Sequence, residues 1–198
     1  MSNTVALIPQ DKSNACWLAA STMMRSWKDQ QSYTLAATLA FLDPTGTTFA
    51  PTYNTDCGLL FADDQKLVQA LGLTALPPAS YAIDFFFTVL GAGPIMAQIM
   101  FSANSNIAHM VVIANITGDG TPSGTMLQIN DPLPMNAGQT YAISFTDFLV
   151  KFEGVVAYEN NFPADNLTSQ LFYYAQPAAV DSSSAASSAP DAPDASVN

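Results

Sequence analysis

The stretch SNACWLAASTMMRSW, residues 13–27, carries the strongest helical pattern of the chain. Its regularly spaced apolar residues are Trp17, Ala20, Met24 and Trp27. Because they lie three or four positions apart, they would form one apolar face of a helix. Ser13 and Asn14 are favourable residues for the N-cap. The stretch therefore predicts a helix that begins at Ser13 or Asn14, ends at Trp27 and holds Cys16 in its first turn.

Further helical patterns follow this one, and strand patterns occupy the second half of the chain. Helices are expected over 33–42, 63–71 and 80–90, with a loop after Asp43-Pro44 through Gly58. Strands are expected over 95–101, 109–116, 125–129, 141–144 and 155–158, and 144–152 contains a short helix. Gly118-Asp119-Gly120 predicts a hairpin turn. Helices first and strands later indicate an α+β fold with a mainly antiparallel sheet.

The composition excludes several classes of partner. Only 11% of the 198 residues are charged, and 5 Lys and Arg stand against 16 Asp and Glu, a formal net charge of −11. These cations are too few to neutralise nucleic-acid phosphates or to bind an anionic membrane surface. No apolar run approaches the roughly 20 residues that a membrane-spanning helix needs. We therefore expect no nucleic-acid binding and no membrane insertion, and neutral or basic partners are favoured.

The numbers of histidines and cysteines limit metal and disulfide chemistry. His109 is the only histidine, which excludes a zinc site with two or three His ligands. Cys16 and Cys57 are too few for a disulfide scaffold or a zinc ribbon. They can form one disulfide, or both can stay free.

The two ends of the chain differ from its body. Residues 1–10 have neither the cationic start nor the apolar stretch of a cleaved secretory signal. This predicts a cytoplasmic protein, or one exported without a cleaved N-terminal signal. Residues 177–198 are almost all Ala, Ser, Pro and Asp and cannot bury enough apolar surface to fold. We expect a domain over 1–176 and a disordered acidic tail over 177–198.

Cys16 is a candidate nucleophile. Unpaired N–H groups and the helix dipole at a helix start favour the thiolate, which is the reactive form of cysteine. The alternative is a small buried hydrophobic residue, a common role of free cysteine.

His109 and Asp131 are candidates for acid–base chemistry. Histidine is the side chain whose ordinary pKa suits proton transfer near neutral pH. The start of one hairpin strand lies beside the end of the next, so the turn at 118–124 would bring His109 and Asp131 together. The alternatives are a solvent-facing histidine at a strand edge and an ordinary Asp-Pro turn.

Gln10 precedes Cys16 by six residues. A side-chain amide at that reach can donate a hydrogen bond to an oxyanion formed at the target of the thiolate, and the backbone N–H of Cys16 would be the second donor. The alternative is a surface glutamine that follows a proline.

Together these residues form an ordered set that resembles papain-like cysteine peptidases, in particular the bacterial branch with the AvrRpt2-type effector proteases and the C39-like peptidases. The matching residues are Pro9-Gln10, Asn14-Ala15-Cys16-Trp17-Leu18-Ala19-Ala20, Gly58-Leu59, Leu71-Gly72-Leu73, Gly93-Pro94-Ile95, His109-Met110-Val111-Val112, Asn130-Asp131-Pro132 and Tyr141-Ala142-Ile143-Ser144-Phe145. The resemblance spans about residues 8–156 and leaves out the acidic tail.

This resemblance implies a papain-like fold and thiol-dependent cleavage of a peptide or amide bond, with no cofactor and no metal. By position, Cys16 would be the nucleophile, His109 the general base and then acid, and Asp131 the residue that orients His109. Gln10 would polarise the oxyanion. The implied partners are a peptide or protein substrate and an immunity or inhibitor protein, and the implied role is a bacterial effector or toxin.

Other functions and another third residue stay open from the sequence. The same triad can pass the acyl group to an amine or alcohol, as an acyltransferase, a transglutaminase or a deamidase does. A catalytically silent module could keep the fold and only bind peptides, although the complete residue set argues against it. Papain has an asparagine as its third residue, so Asn130 is the alternative to Asp131. Strand alternation lets only one of these neighbours face His109.

Overall fold

The computed structural model describes residues 4–77, 79–101, 108–159 and 170–175. The helices in this part of the chain are α1 (Cys16–Asp29), α2 (Leu35–Leu42), α3 (Ala50–Asn54), α4 (Phe61–Leu71), α5 (Ile83–Ala92) and α6 (Phe145–Glu159). The strands are β1 (Thr74–Ala75), β2 (Ile95–Met100), β3 (Ala108–Gly118), β4 (Thr125–Asp131), β5 (Gln139–Ser144) and β6 (Leu171–Tyr173). The boundary expected after residue 176 and the tail expected over 177–198 lie outside the described residues.

The strands form one antiparallel sheet in the order β1-β6-β2-β3-β4-β5. This confirms the α+β fold with a mainly antiparallel sheet. The hairpin between β3 and β4 turns where the sequence predicts it, with Gly118 opposite Thr125. Gly118 has φ of +139°, and a Cβ there would lie 2.3 Å from the carbonyl oxygen of Gly124, so the turn requires glycine at this position.

The sheet separates two apolar clusters, because neighbouring residues of a strand point to opposite faces. The first cluster packs α1 against one face and includes Trp17, Leu18, Met24, Met96 and Val112. The second packs α5 and α6 against the other face and includes Phe86, Phe148, Phe152, Ile99 and Val111. Helix α1 is thus fixed against the sheet along its apolar side, which holds its first residue in a defined place.

The strand predicted over 155–158 is wrong, because the chain there continues helix α6. Phe145, Phe148, Phe152 and Val155 recur at helical spacing, and each is at most 2% exposed. Consecutive β-branched residues at 155–156 favour a strand locally, but burial of this aromatic face against the sheet outweighs that preference. The short helix expected within 144–152 is therefore a longer one.

The loop predicted through Gly58 is interrupted by the short helix α3. The Asp43 carboxylate accepts backbone hydrogen bonds of 2.8–3.0 Å from Thr47, Thr48, Phe49 and Ala50. Two of these bonds satisfy the N–H groups of Phe49 and Ala50 at the start of α3, which have no acceptor within the helix, and the other two hold the loop before it. Strands β1 and β6 were also not predicted, because two or three residues are too few to show a period of two. None of the described helices is long and apolar enough to cross a membrane.

Candidate active site

Helix α1 begins at Cys16, whose side chain is half-buried. The start predicted at Ser13 or Asn14 is wrong, since Ala15 is the N-cap residue and makes no side-chain capping bond. The first N–H groups of a helix have no acceptor within it, and the helix dipole is positive at this end. The thiol therefore lies where the backbone favours a negative charge.

The residues before Cys16 are fastened to the loop after α3. The Asp56 carboxylate accepts the backbone N–H of Asn14 at 2.9 Å and that of Ser13 at 3.2 Å. In return, the Asn14 amide donates to the Asp56 carbonyl oxygen at 2.7 Å. Lys12 Nζ donates to the Tyr53 carbonyl oxygen at 2.8 Å and lies 4.0 Å from the centre of the Tyr53 ring. Sequence reasoning missed Asp56, because one acidic residue in a loop carries no signal of its partners.

The β3–β4 hairpin brings His109 and Asp131 together. His109 lies near the start of β3 and Asp131 ends β4, and the His109 Nε2 to Asp131 Oδ1 distance is 2.6 Å. Both residues are buried, with exposed fractions of 5% and 6%. Cys16 lies near enough to the His109 side chain to raise the pKa of the imidazole. Because Nε2 faces Asp131, Nδ1 is the nitrogen left for the thiol.

These contacts set the charges of the buried pair. Burial lowers the pKa of His109, but the neighbouring Asp131 and Cys16 raise it by more. The net effect raises this pKa from 6.5 to about 9. Burial raises the pKa of Asp131, whereas the hydrogen bond to His109 and its positive charge bring this pKa below the usual value. At neutral pH the pair is therefore an imidazolium and a carboxylate. Burial and the neighbouring Asp131 raise the pKa of the Tyr141 phenol to about 12.

Asn130 points away from this pair. Its amide nitrogen donates to the Val5 carbonyl oxygen at 2.9 Å, and its amide oxygen accepts from the Thr140 hydroxyl at 2.9 Å. The side chain is 3% exposed and ties the N-terminal segment to the sheet. Of the two neighbours considered from the sequence, it is Asp131 that contacts His109.

Gln10 is fully buried next to the segment that follows β4. Its backbone N–H donates to the Pro132 carbonyl oxygen at 3.1 Å, and its carbonyl oxygen accepts from Asn136 at 2.8 Å. Its side-chain nitrogen donates to the carbonyl oxygens of Lys12 at 2.7 Å and Ser13 at 2.8 Å, which uses both amide hydrogens. Its amide oxygen finds no hydrogen-bond partner within the described residues. Gln10 thus fastens the turn that leads into Cys16.

Both cysteines are free thiols, and Cys57 is exposed. The Cys57 sulfur lies 3.9 Å from the Thr55 carbonyl oxygen in the loop after α3. Within the ranges that the structure describes, no three His, Cys, Asp or Glu side chains are grouped so that they could hold a metal ion.

Comparison with known proteins identifies the family. A family model described as papain-like cysteine protease AvrRpt2 matches residues 2–153, a range that contains Gln10, Cys16, His109 and Asp131. A comparison with curated proteins found no match. The matched range covers most of the chain and ends within helix α6. The chain therefore belongs to the AvrRpt2 family of papain-like cysteine proteases, and it is a papain-like cysteine peptidase.

Proposed function

We propose that the protein hydrolyses peptide bonds with Cys16 as nucleophile, His109 as general base and acid, and Asp131 as the residue that orients His109. The observation that carries this assignment is the 2.6 Å contact between Asp131 and His109, and it is supported by Cys16, which is near enough to the imidazole to raise its pKa. A nucleophile bonded to a base, which a third group orients, is the arrangement that activates a weak nucleophile. Family membership supplies thiol-dependent hydrolysis, and the roles of the individual residues are the proposal.

In the first half of the reaction, the Cys16 thiolate, whose proton has been taken up by His109, attacks the carbonyl carbon of the scissile bond. A C–S bond forms, and the carbonyl electrons move to oxygen as an oxyanion. When the oxyanion collapses, the C–N bond breaks and the His109 imidazolium gives its proton to the leaving amine. The products of this step are a thioester on Cys16, a free amine and a neutral imidazole.

In the second half, His109 takes a proton from water, and the resulting hydroxide attacks the thioester carbon. Collapse of this second oxyanion breaks the C–S bond and releases the carboxylic acid portion of the substrate. The Cys16 thiolate and the His109 imidazolium are restored. Asp131 keeps Nε2 protonated throughout, so that Nδ1 is the nitrogen that exchanges protons with sulfur, amine and water.

We assign the oxyanion to two donors, the backbone N–H of Cys16 and the side-chain amide of Gln10. The resemblance to the family supplies this role for Gln10, whose side chain is fully buried under the turn that leads into Cys16. In the resting protein its amide hydrogens are bonded to the carbonyl oxygens of Lys12 and Ser13. Donation to the oxyanion exchanges one of these neutral acceptors for a charged one, which forms the stronger hydrogen bond.

The proposal is tested by mapping new protein N-termini in a cell lysate treated with the purified protein. Wild type and Cys57→Ala should generate the same new N-termini, and Cys16→Ala should generate none. Cys57→Ala is the matched control, because it removes the other thiol by the same substitution. Equal cleavage by Cys16→Ala would reject Cys16 as the nucleophile.

Membership of this family extends the proposal to a bacterial effector or toxin that acts in another cell, and to an immunity or inhibitor protein that protects the producer. Expression in a susceptible host tests the extension. Wild type should arrest growth and Cys16→Ala should not, since the damage would come from proteolysis. Equal growth of both strains in every host tried would remove the support for this role.

A further inference from the structure

A cavity of about 320 Å³ lies on the Nε2 side of His109, where Asp131 contacts the imidazole. Ile99, a member of the second apolar cluster, lines it, which places the cavity on the face of the sheet that packs against α5 and α6. Gln139 and Tyr141 of β5, the outermost strand of the described sheet, also line it. Two polar side chains of an edge strand therefore share one space with the Asp131 carboxylate.

The pairing of β4 with β5 places both side chains next to Asp131. Asp131 lies directly opposite Gln139, and Tyr141 lies opposite Ile129, two residues earlier on β4. Residues two apart on a strand point to the same face, so Asp131, Gln139 and Tyr141 share a face of the sheet. Diagonal neighbours across an antiparallel pair are about 7–8 Å apart, a distance that aromatic and long side chains span. The phenol of Tyr141 is therefore within reach of the carboxylate.

The bonds that Asp131 makes to His109 and to the backbone fall on the same carboxylate oxygen. Oδ1 contacts His109 Nε2 at 2.6 Å and accepts the backbone N–H of Leu133 at 2.9 Å. Oδ2 is then the oxygen left for the side chains of β5. The terminal torsion of an aspartate has a broad minimum, so a carboxylate with donors on both oxygens is oriented more firmly than one with donors on a single oxygen.

The electrostatics of the two β5 side chains fit donors to this carboxylate. Burial and the neighbouring Asp131 raise the pKa of the Tyr141 phenol to about 12, so the phenol keeps its proton at neutral pH and can donate it. Burial raises the pKa of Asp131, whereas His109, the Leu133 N–H and Gln139 lower it below its usual value. Tyr141 is half-buried and Gln139 is exposed. Because water competes more for the exposed amide, Tyr141 is the stronger donor of the two.

Lys151 of α6 also lines the cavity that Asp131 borders. An ammonium group is a compact point charge on a flexible stem, so it attracts a carboxylate without selecting one orientation. A phenol O–H, in contrast, forms a directional bond at the end of a rigid ring. The side chain suited to fix the torsion of Asp131 is therefore Tyr141.

We propose that Tyr141 is a positioning residue of the triad: its phenol donates to Asp131 Oδ2 and keeps Oδ1 directed at His109 Nε2. Gln139 is the weaker second donor to the same oxygen. This inference rests on the proposed function, because Tyr141 acts through Asp131 as the residue that orients His109. Loss of the phenol should therefore slow the chemical steps and leave substrate binding unchanged.

The test compares Tyr141→Phe in two backgrounds, wild type and Asp131→Asn. The substrate is a synthetic peptide that spans a cleavage site mapped in the lysate. Phenylalanine keeps the ring and removes only the hydroxyl group. Tyr33→Phe is the matched control, because it removes the same group from a half-buried tyrosine whose hydroxyl donates to Asp29 at 3.1 Å. Asp29 is at the opposite end of α1 from Cys16.

Tyr141→Phe should lower kcat by about tenfold with little change in KM, since a misdirected Asp131 misplaces the imidazole. In the Asp131→Asn background the same change should lower kcat by less than about threefold, because the charged acceptor is gone. Tyr33→Phe should keep wild-type kcat and KM. An equal loss of kcat in both backgrounds would mean that the hydroxyl does not act through Asp131. That result, or wild-type kcat in Tyr141→Phe, would overturn the inference.

Two further variants test the other polar groups of the cavity. Gln139→Leu and Lys151→Met should each lower kcat by less than Tyr141→Phe does. A larger loss in either variant than in Tyr141→Phe would mean that another group holds the carboxylate, which would also overturn the inference. Wild-type kcat in Asp131→Asn would instead reject the role of Asp131 in the proposed function, and the inference with it.

Discussion

The carboxylate of Asp56 accepts a hydrogen bond of 2.9 Å from the backbone N–H of Asn14, 42 residues earlier in the chain. A second bond of 3.2 Å comes from Ser13, so one side chain holds two consecutive N–H groups just before Cys16. The same turn is held from the inside by the Gln10 amide. The approach to the nucleophile is therefore fixed from two sides, by Gln10 within the segment and by Asp56 from the loop after α3.

We expect Asp56→Ala to lower kcat by about tenfold with little change in KM, because a displacement of the turn misplaces the sulfur more than it weakens substrate binding. Loss of two charge-assisted bonds should also cost about 1–3 kcal/mol of the free energy of unfolding. Steady-state kinetics and denaturant unfolding measure the two effects. Asp84→Ala, at an exposed acid of α5, is the control. If Asp56→Ala is less stable but keeps the wild-type kcat, then Asp56 contributes to stability and does not position Cys16.

Asp131→Asn should lower kcat by more than Asn130→Ala does. The carboxylate stabilises the imidazolium and fixes its tautomer, which an amide does less well. Asn130→Ala should instead act on stability, costing about 1–3 kcal/mol, because it leaves the Val5 carbonyl oxygen without its donor. Kinetics and thermal unfolding of the two variants separate these effects. A larger loss of kcat in Asn130→Ala would make asparagine the third residue, as in papain.

Much of this site could be predicted from the sequence, because hairpin geometry is local. The turn at 118–124 determines which ends of β3 and β4 meet, and this is sufficient to place His109 beside Asp131. The approach of α1 to the start of β3 depends instead on packing across the sheet. No spacing in the sequence encodes that contact, so the Cys16–His109 pairing was expected only from the resemblance to a family.

Stability should fall as the pH rises from about 6.5 to 9. The pKa of His109 is raised from 6.5 to about 9 in the folded protein, where burial lowers it but the neighbouring Asp131 and Cys16 raise it more. A raised pKa means that the stabilisation is complete below the unfolded value and is lost as the pH passes through the folded one. The loss should be roughly 3 kcal/mol at most. Melting temperatures across this range measure it.

Asp131→Asn is the control for this pH dependence, because it removes the main partner that raises the pKa of His109. Its melting temperature should change less between pH 6.5 and 9 than that of wild type. The alkaline fall of kcat/KM should also move to lower pH in this variant. Identical pH profiles of the two proteins would contradict the assignment of the raised pKa to the His109–Asp131 contact.

Cys57 should be dispensable for the reaction. It is exposed, lies in the loop after α3, and its sulfur is near the Thr55 carbonyl oxygen rather than near a base. Cys57→Ser should match wild-type activity both with and without reductant. Activity of wild type that depends on reductant, and loses that dependence in Cys57→Ser, would instead indicate a disulfide between the two cysteines that silences the enzyme.

The features that the sequence did not predict depend on contacts far apart in the chain. Helix α6 includes the residues of the strand expected over 155–158, because Phe145, Phe148, Phe152 and Val155 are buried along one face of the helix. A local β preference does not include this burial. The role of Asp56 requires the loop after α3 to lie against residues 12–14.

The most direct test of the account is to look for the acyl group on the enzyme itself. Wild type is mixed with an ester of a peptide that it cleaves, quenched in acid within milliseconds to seconds, and analysed by intact mass and peptide mapping. We expect one added acyl mass on Cys16, none on Cys57, and none in Cys16→Ala, with faster decay of the adduct when His109 is intact than in His109→Ala. Turnover of the ester without any adduct on Cys16, or an adduct on Cys57 alone, would contradict the assignment of Cys16 as the nucleophile.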